Sequence, residues 1–222
     1  MSDSELINAV SHEVRRRMAG QGAGHGLDHV ARVVNLASQL QHKEGGEPTV
    51  IALAAWLHDV GDAKLWDGIE RGEELSREIL HQCSASAERI EQVVDIVDKI
   101  SFRKNCPVDQ LSWEAKIVQD ADRLEALGAI GIVRTIEYGA HRQRPFYADD
   151  QDLETSHCGL AHFYQKLFKL PALLNTLTAR EMAARRVAFM QQFVAQFMEE
   201  WCVSQQPAEV VGDDAGGGGH VE

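Results

Sequence analysis

Eight consecutive apolar residues, Val50 to Leu57, run straight into His58-Asp59-Val60-Gly61-Asp62-Ala63-Lys64. A run with no polar alternation reads as a helix buried on every side. Its last turn then brings an imidazole, two carboxylates and an ammonium group to the end of a core element, and such groups cost solvation unless something pairs with them. A divalent cation satisfies a neutral imidazole and a neighbouring carboxylate together, since Mn, Fe, Zn and Mg-like ions accept both ligand types. The plainer reading is a C-terminal histidine favoured by the helix dipole.

Two other segments supply matching groups. Gly24-His25-Gly26-Leu27-Asp28-His29 places His29 near the start of an amphipathic helix that continues through Val30, Val33, Val34, Ala37 and Leu40 to Gly45-Gly46. Ile117-Val118-Gln119-Asp120-Ala121-Asp122-Arg123-Leu124-Glu125 sets carboxylates inside the apolar stretch of a further helix. Asp120 and Asp122 are two residues apart, about 200° around a helix, so both cannot face one ion directly. Residue chemistry alone leaves that choice open.

Between these segments the pattern is helical throughout. A first helix is predicted from Asp3 to Met18, capped by Ser2 or Asp3, with Leu6, Val10, Val14 and Met18 as its apolar stripe. Four glycines between Ala19 and Gly26 make a loop, and Pro48 suits the first turn of the apolar helix. A loop from Asp62 to Arg71 carries Trp66, and helices resume over Glu73–Leu80 and Ala87–Ile100. The loop Ser101 to Pro107 carries Arg103 and Lys104. Leu111–Ala126 and Gly128–Tyr138 follow as two helices or one bent helix, His141–Ser156 is irregular, and a final pair spans Thr155–Leu170 and Leu174–Trp201, broken at Pro171. Residues 1–204 are therefore expected to form a single all-α domain, and residues 205–222, acidic and holding five of the 18 glycines, a disordered tail.

Charge narrows the class of partner. The 34 acidic side chains against 22 basic ones leave a formal charge of −12, which disfavours a nucleic-acid duplex or an anionic membrane. A small phosphorylated substrate stays compatible, because a metal and a few local cations reverse the field inside a cleft. Cys83, Cys106, Cys158 and Cys202 form no CxxC pair and read as reduced thiols. The polar start Met-Ser-Asp-Ser-Glu-Leu is unlike a signal peptide, and no apolar run approaches the roughly 20 residues of a membrane span. A cytoplasmic monomer or homodimer is expected, with Trp56, Trp66 and Trp201 equally suited to a core or to a dimer surface.

The order His29, His58-Asp59, then Asp along three helices resembles the HD superfamily of metal-dependent phosphohydrolases, in its compact bacterial single-domain branch of nucleotide pyrophosphohydrolases. The resemblance covers roughly Gly24 to Pro171 and implies a helical HD-domain fold with a metal site between core helices. Relatives that hydrolyse (p)ppGpp or dNTPs place the last ligand just before a cation, which in Ala121-Asp122-Arg123 selects Asp122 and keeps Asp120 as the alternative. The implied metal set is His29, His58, Asp59 and Asp122 around one divalent ion, Mn2+ or Mg2+ first and Fe, Ni, Co or Zn as alternatives. Such a set leaves about two octahedral positions for water and a phosphate oxygen.

The same resemblance implies roles nearby. Related hydrolases carry an acid at the offset of Asp62, which would orient or deprotonate the attacking water; a helix-end cap or a partner for Lys64 is the alternative. The pattern His-Asp-x-x-Asp-x-Lys puts Lys64 on phosphate, with Arg123 as a second cation, and either could instead be a surface charge. His25 stands where the branch also tends to have His, suiting substrate contact or loop hydrogen bonding. His162, Lys166 and Lys169 would share one face of a C-terminal helix and close over a polyphosphate, or form its wet side. Two departures limit the likeness: Gly24-His25-Gly26 lacks the acid of Gly-His-Asp, and Ala87–Ile100 has no His, which favours a single ion.

The expected activity is hydrolysis of a nucleoside triphosphate or similar phosphate anhydride by metal-activated water, giving the monophosphate and pyrophosphate. A phosphomonoesterase or phosphodiesterase acting on another nucleotide is the alternative enzyme. A catalytically silent HD module that senses a ligand is the alternative outside enzymes.

Overall fold

In the computed structural model, which describes residues 1–19, 26–63, 65–100, 106–148, 153 and 155–204, the apolar run becomes α3 (Pro48–Leu57) and has no wet face. Every residue of α3 from Thr49 to Leu57 except Ala52 is buried. Pro48 opens the helix, and the Glu47 carboxylate accepts from the backbone N–H groups of Thr49 at 3.1 Å and Val50 at 2.7 Å, satisfying donors that the first turn leaves unpaired.

Four helices wrap this axis: α1 (Asp3–Arg17), α2 (Leu27–Glu44), α5 (Ala87–Ile100) and α6 (Trp113–Glu125). Each presents a stripe at helical spacing. On α1 it is Leu6, Val10 and Val14, and Ser2 and Glu5 close a reciprocal capping box at the N-terminus. On α2 it is Val30, Val33, Ala37 and Leu40, ending at Gly45 with φ +81°. The α6 helix starts from a Ser112 cap and lies along α2. The remaining helices α4 (Gly72–Gln82), α7 (Gly128–His141), α8 (Gly159–Gln165) and α9 (Leu177–Ser204) flank this core, α4 against α5 and α9 against α7. Nine α-helices and two short 3-10 turns account for all regular structure among the described residues. None of these helices is long and apolar enough to cross a membrane.

Two expectations are corrected. The stretch 155–170 is not one helix: α8 ends at Gln165, Lys166 takes φ −133°, and a 3-10 segment from Leu167 to Leu173 absorbs Pro171 before α9 begins. Pro171 has no N–H for an α-helical bond, and the tighter turn tolerates it. His162, Lys166 and Lys169 consequently do not form one continuous helical face. Trp56 is a core residue under the Arg15 guanidinium, whereas Trp66 donates its indole N–H to the Val60 carbonyl at 3.0 Å beneath Arg71. His25, Lys64, Arg103, Lys104 and the tail 205–222 lie outside the described residues.

After α3 the chain loops and returns to pass directly over Gly61, whose carbonyl accepts from the Arg71 N–H at 2.9 Å. A Cβ on Gly61 would stand 2.3 Å from the Arg71 carbonyl carbon, so glycine is required by the approach of two backbones. Gly61→Ala is expected to lower stability by about 1–3 kcal/mol, measured as an earlier midpoint in urea unfolding, whereas Gly68→Ala, with open space around it, leaves only the strain of its φ of +89°.

Candidate metal centre

The end of the buried helix meets two neighbours. His29 stands in the first turn of α2, His58 closes α3 with Asp59 behind it, and Asp122 projects from α6. The two imidazole Nε2 atoms are 3.3 Å apart. Asp59 Oδ2 lies 3.3 Å from His29 Nε2 and 3.6 Å from His58 Nε2, and Asp122 Oδ1 lies 3.5 Å and 4.0 Å from the same two atoms. His29 is 2% exposed, while the Asp122 side chain, at 46%, forms the open side.

The other ring nitrogens have partners of their own. His58 Nδ1 is 2.8 Å from the Ala55 carbonyl, which can only accept, so the proton is assigned to Nδ1. His29 Nδ1 is 2.9 Å from Oε2 of Glu125, a carboxylate only 1% exposed, and also 2.9 Å from Nη1 of Arg134. The two Nε2 atoms face one another and the Asp59 and Asp122 oxygens, a set of nitrogen and oxygen atoms that a single cation would satisfy together. Donors about 2.1 Å from one ion lie roughly 3.0 Å apart at octahedral right angles and about 3.4 Å apart at tetrahedral ones; the spacings of 3.3, 3.3 and 3.6 Å among His29, His58 and Asp59 suit a shared divalent ion, with Asp122 beside them. His29, His58 and Asp59 offer donor atoms all within 4.8 Å of one another.

Of the two candidate aspartates on α6, the structure brings Asp122 to the imidazoles. Asp120 points the other way and is fully buried, accepting from the backbone N–H and side-chain amide of Asn175 and from the N–H and hydroxyl of Thr176, at 2.7 to 3.1 Å. Burial raises its pKa against the pull of those donors. Its work is to hold α6 to the start of α9. The 200° separation seen in the sequence is realised as one inward anchor and one face on the cleft.

A cavity of about 180 Å³ opens beside the four donors, lined also by Asp62, Arg123, Gln119, Arg134 and Lys166. Asp62 therefore reaches the cleft expected of it. Arg123 lines it while donating through Nη1 to the Leu173 carbonyl, and burial lowers its pKa. Lys166 reaches the cleft from the break after α8.

Glu125 and Arg134 were not anticipated. Glu125 is held by Arg32 Nε at 2.6 Å and by Arg134 Nη1, and together they orient the His29 ring. A buried carboxylate needs such pairing. Its sequence signal was available: Glu125 follows Asp122 by three, on the same face of α6, within an apolar run. Arg134, in mid-α7 between Val133 and Thr135, carried no such signal. Burial depresses its pKa while Asp122 and Asp59 oppose that shift.

Comparison with known proteins agrees with this arrangement. Residues 26–127 match the HD domain family. YpgQ of Bacillus subtilis is 35% identical over 202 residues, covering 90% of this chain and 96% of its own. The crystal structure of YpgQ in complex with ADP superposes with a TM-score of 0.77 at 32% identity, covering 90% of this chain and 97% of that one. An HD-superfamily hydrolase from Bacillus thuringiensis superposes at 0.75 with 36% identity, covering 92% of this chain and 100% of that one. The chain belongs to the HD-domain family, in the YpgQ-like branch of HD-superfamily hydrolases.

Glu125→Gln keeps the shape of the side chain but weakens its hold on Nδ1 of His29. It is expected to reduce Mn2+ affinity by about 10–100-fold, read by isothermal titration calorimetry, with the helical circular-dichroism signal unchanged.

Proposed function

We propose that this HD-superfamily hydrolase is a metal-dependent nucleotide phosphohydrolase that splits a nucleoside triphosphate into the monophosphate and pyrophosphate. The convergence of four lone-pair donors from α2, α3 and α6 beside a cleft carries the reading. The ADP bound by YpgQ points to the nucleotide. His29, His58, Asp59 and Asp122 would hold one divalent cation, and the mixed nitrogen and oxygen set favours Mn2+ over Mg2+. When bound, the cation supplies Lewis acidity at a phosphoryl oxygen and eases ionisation of water.

The chain's own residues do the rest. Asp62, in the wall of the same cleft, takes the proton of the attacking water as its oxygen bonds to the α-phosphorus and the α–β anhydride bond breaks, releasing pyrophosphate. Arg123 and Lys166, both lining the cleft, would meet the phosphate charge. Lys64 and His25, which lie outside the described residues, are proposed from the family resemblance as further substrate contacts. Glu125, Arg32 and Arg134 keep the His29 ring fixed throughout.

Hydrolysis of a nucleotide panel with added Mn2+ tests this directly. Asp62→Asn is expected to lower kcat by about 10²–10⁴-fold with metal affinity kept, and Asp59→Ala to lose both metal and turnover. Full activity in Asp59→Ala would reject the site. An inactive wild type that still binds nucleotide would identify a ligand sensor.

A further inference from the structure

The cleft beside the four donors is too small, at about 180 Å³, for a whole nucleotide, since ligand pockets of that class run from roughly 300 Å³ upward. Three neighbouring hollows adjoin it. One shares Gln119 and Arg123 with the cleft, and both are already engaged, by Asn175 and by the Leu173 carbonyl. Another, past Glu70 and Val97, is walled by Glu73, Glu74 and Asp98, with Arg71 and Arg77 already paired to glutamates.

The third holds about 310 Å³ and shares Ala126, Arg134 and Lys166 with the cleft. Its described lining includes no carboxylate. Thr135 and Tyr138 come from one face of α7, and His162 comes from α8 opposite. Tyr138 is 40% exposed, the Arg142 guanidinium lies over one face of its ring at 5.6 Å, and the other face supplies an aromatic surface of the kind on which a base stacks. Burial and the nearby Lys166 push the His162 pKa down, so the ring is a neutral donor and acceptor suited to sugar hydroxyls or base heteroatoms.

We propose that this second cavity is the nucleoside compartment: phosphates reach the donor cluster past Lys166 and Arg134, and the base and sugar lie between α7 and α8 against Tyr138 and His162. This rests on the nucleotide reading above and adds where selectivity for the nucleoside resides. Lys166 at the neck attracts the phosphate chain, and the roomier chamber behind it, with no carboxylate in its described lining and Arg144 as a further cation, takes the base and sugar.

The test is calorimetric, in Mn2+, with two ligands: the α,β-imido analogue of ATP and inorganic tripolyphosphate. Wild type is expected to bind the analogue more tightly. Tyr138→Ala removes the ring and Thr135→Leu narrows the chamber, and each is expected to weaken the analogue about tenfold or more while changing tripolyphosphate less than about twofold. Two variants with unshifted thermal midpoints guard against misfolding. Equal weakening of both ligands would mean that the cavity takes phosphate, and no weakening of either would mean that it takes nothing; either result overturns the compartment, as does equal wild-type affinity for both ligands. If the selective loss appears but wild type hydrolyses no nucleotide, the hydrolase reading fails and the compartment stands. Binding of neither ligand by wild type defeats both.

Discussion

A helix with no face toward water can place polar groups only at its ends, and in this protein the end of α3 lies inside the molecule. Everything near the centre follows from that. His58 and Asp59 emerge where α2 and α6 also pass, so a carboxylate or imidazole in the facing turn of either helix is brought to the same point. The close spacing of Nε2 and carboxylate oxygens follows from helix packing, and it leaves a point that a cation would satisfy from several sides.

Much of this was legible in the chain because it is periodic. The stripes of α1, α2 and α5, the Ser2 cap, Pro48 at the head of α3 and Gly45 at the end of α2 are local signals, and each agrees with the tertiary core. The end of α8 was not, because a proline six residues after Gln165 gives no warning that Lys166 leaves helical geometry first. Within the candidate site, His29, His58 and Asp59 stood out as polar groups at the edge of apolar runs. The division of labour between Asp120 and Asp122 needed a partner, Asn175-Thr176, more than fifty residues away. Glu125 and Arg134 were harder still, since a buried ion pair is defined by contacts across space and each half alone resembles a surface charge.

An acidic protein that faces a phosphorylated ligand must arrange its cations by position, not by number. Here Arg32 and Arg134 close on Glu125, cancelling a buried charge behind the donor cluster, while Arg123 and Lys166 stand at the walls of the cleft. Burial makes Arg123 and Arg134 costly to keep charged, and the carboxylates facing them offset that cost. The local field at the cleft is then left to a handful of side chains, whatever the sign of the net charge of −12.

The Asp120 carboxylate gathers four donors from the two residues that precede α9, on the side of α6 opposite Asp122. That makes α6 a lever pinned along its back. Rotation of the helix about its own axis, which would swing Asp122 away from the imidazoles and widen the chelate, is resisted by a strut reaching to the C-terminal helix. The geometry of the His and Asp cluster is thereby set in part by residues that take no place in it.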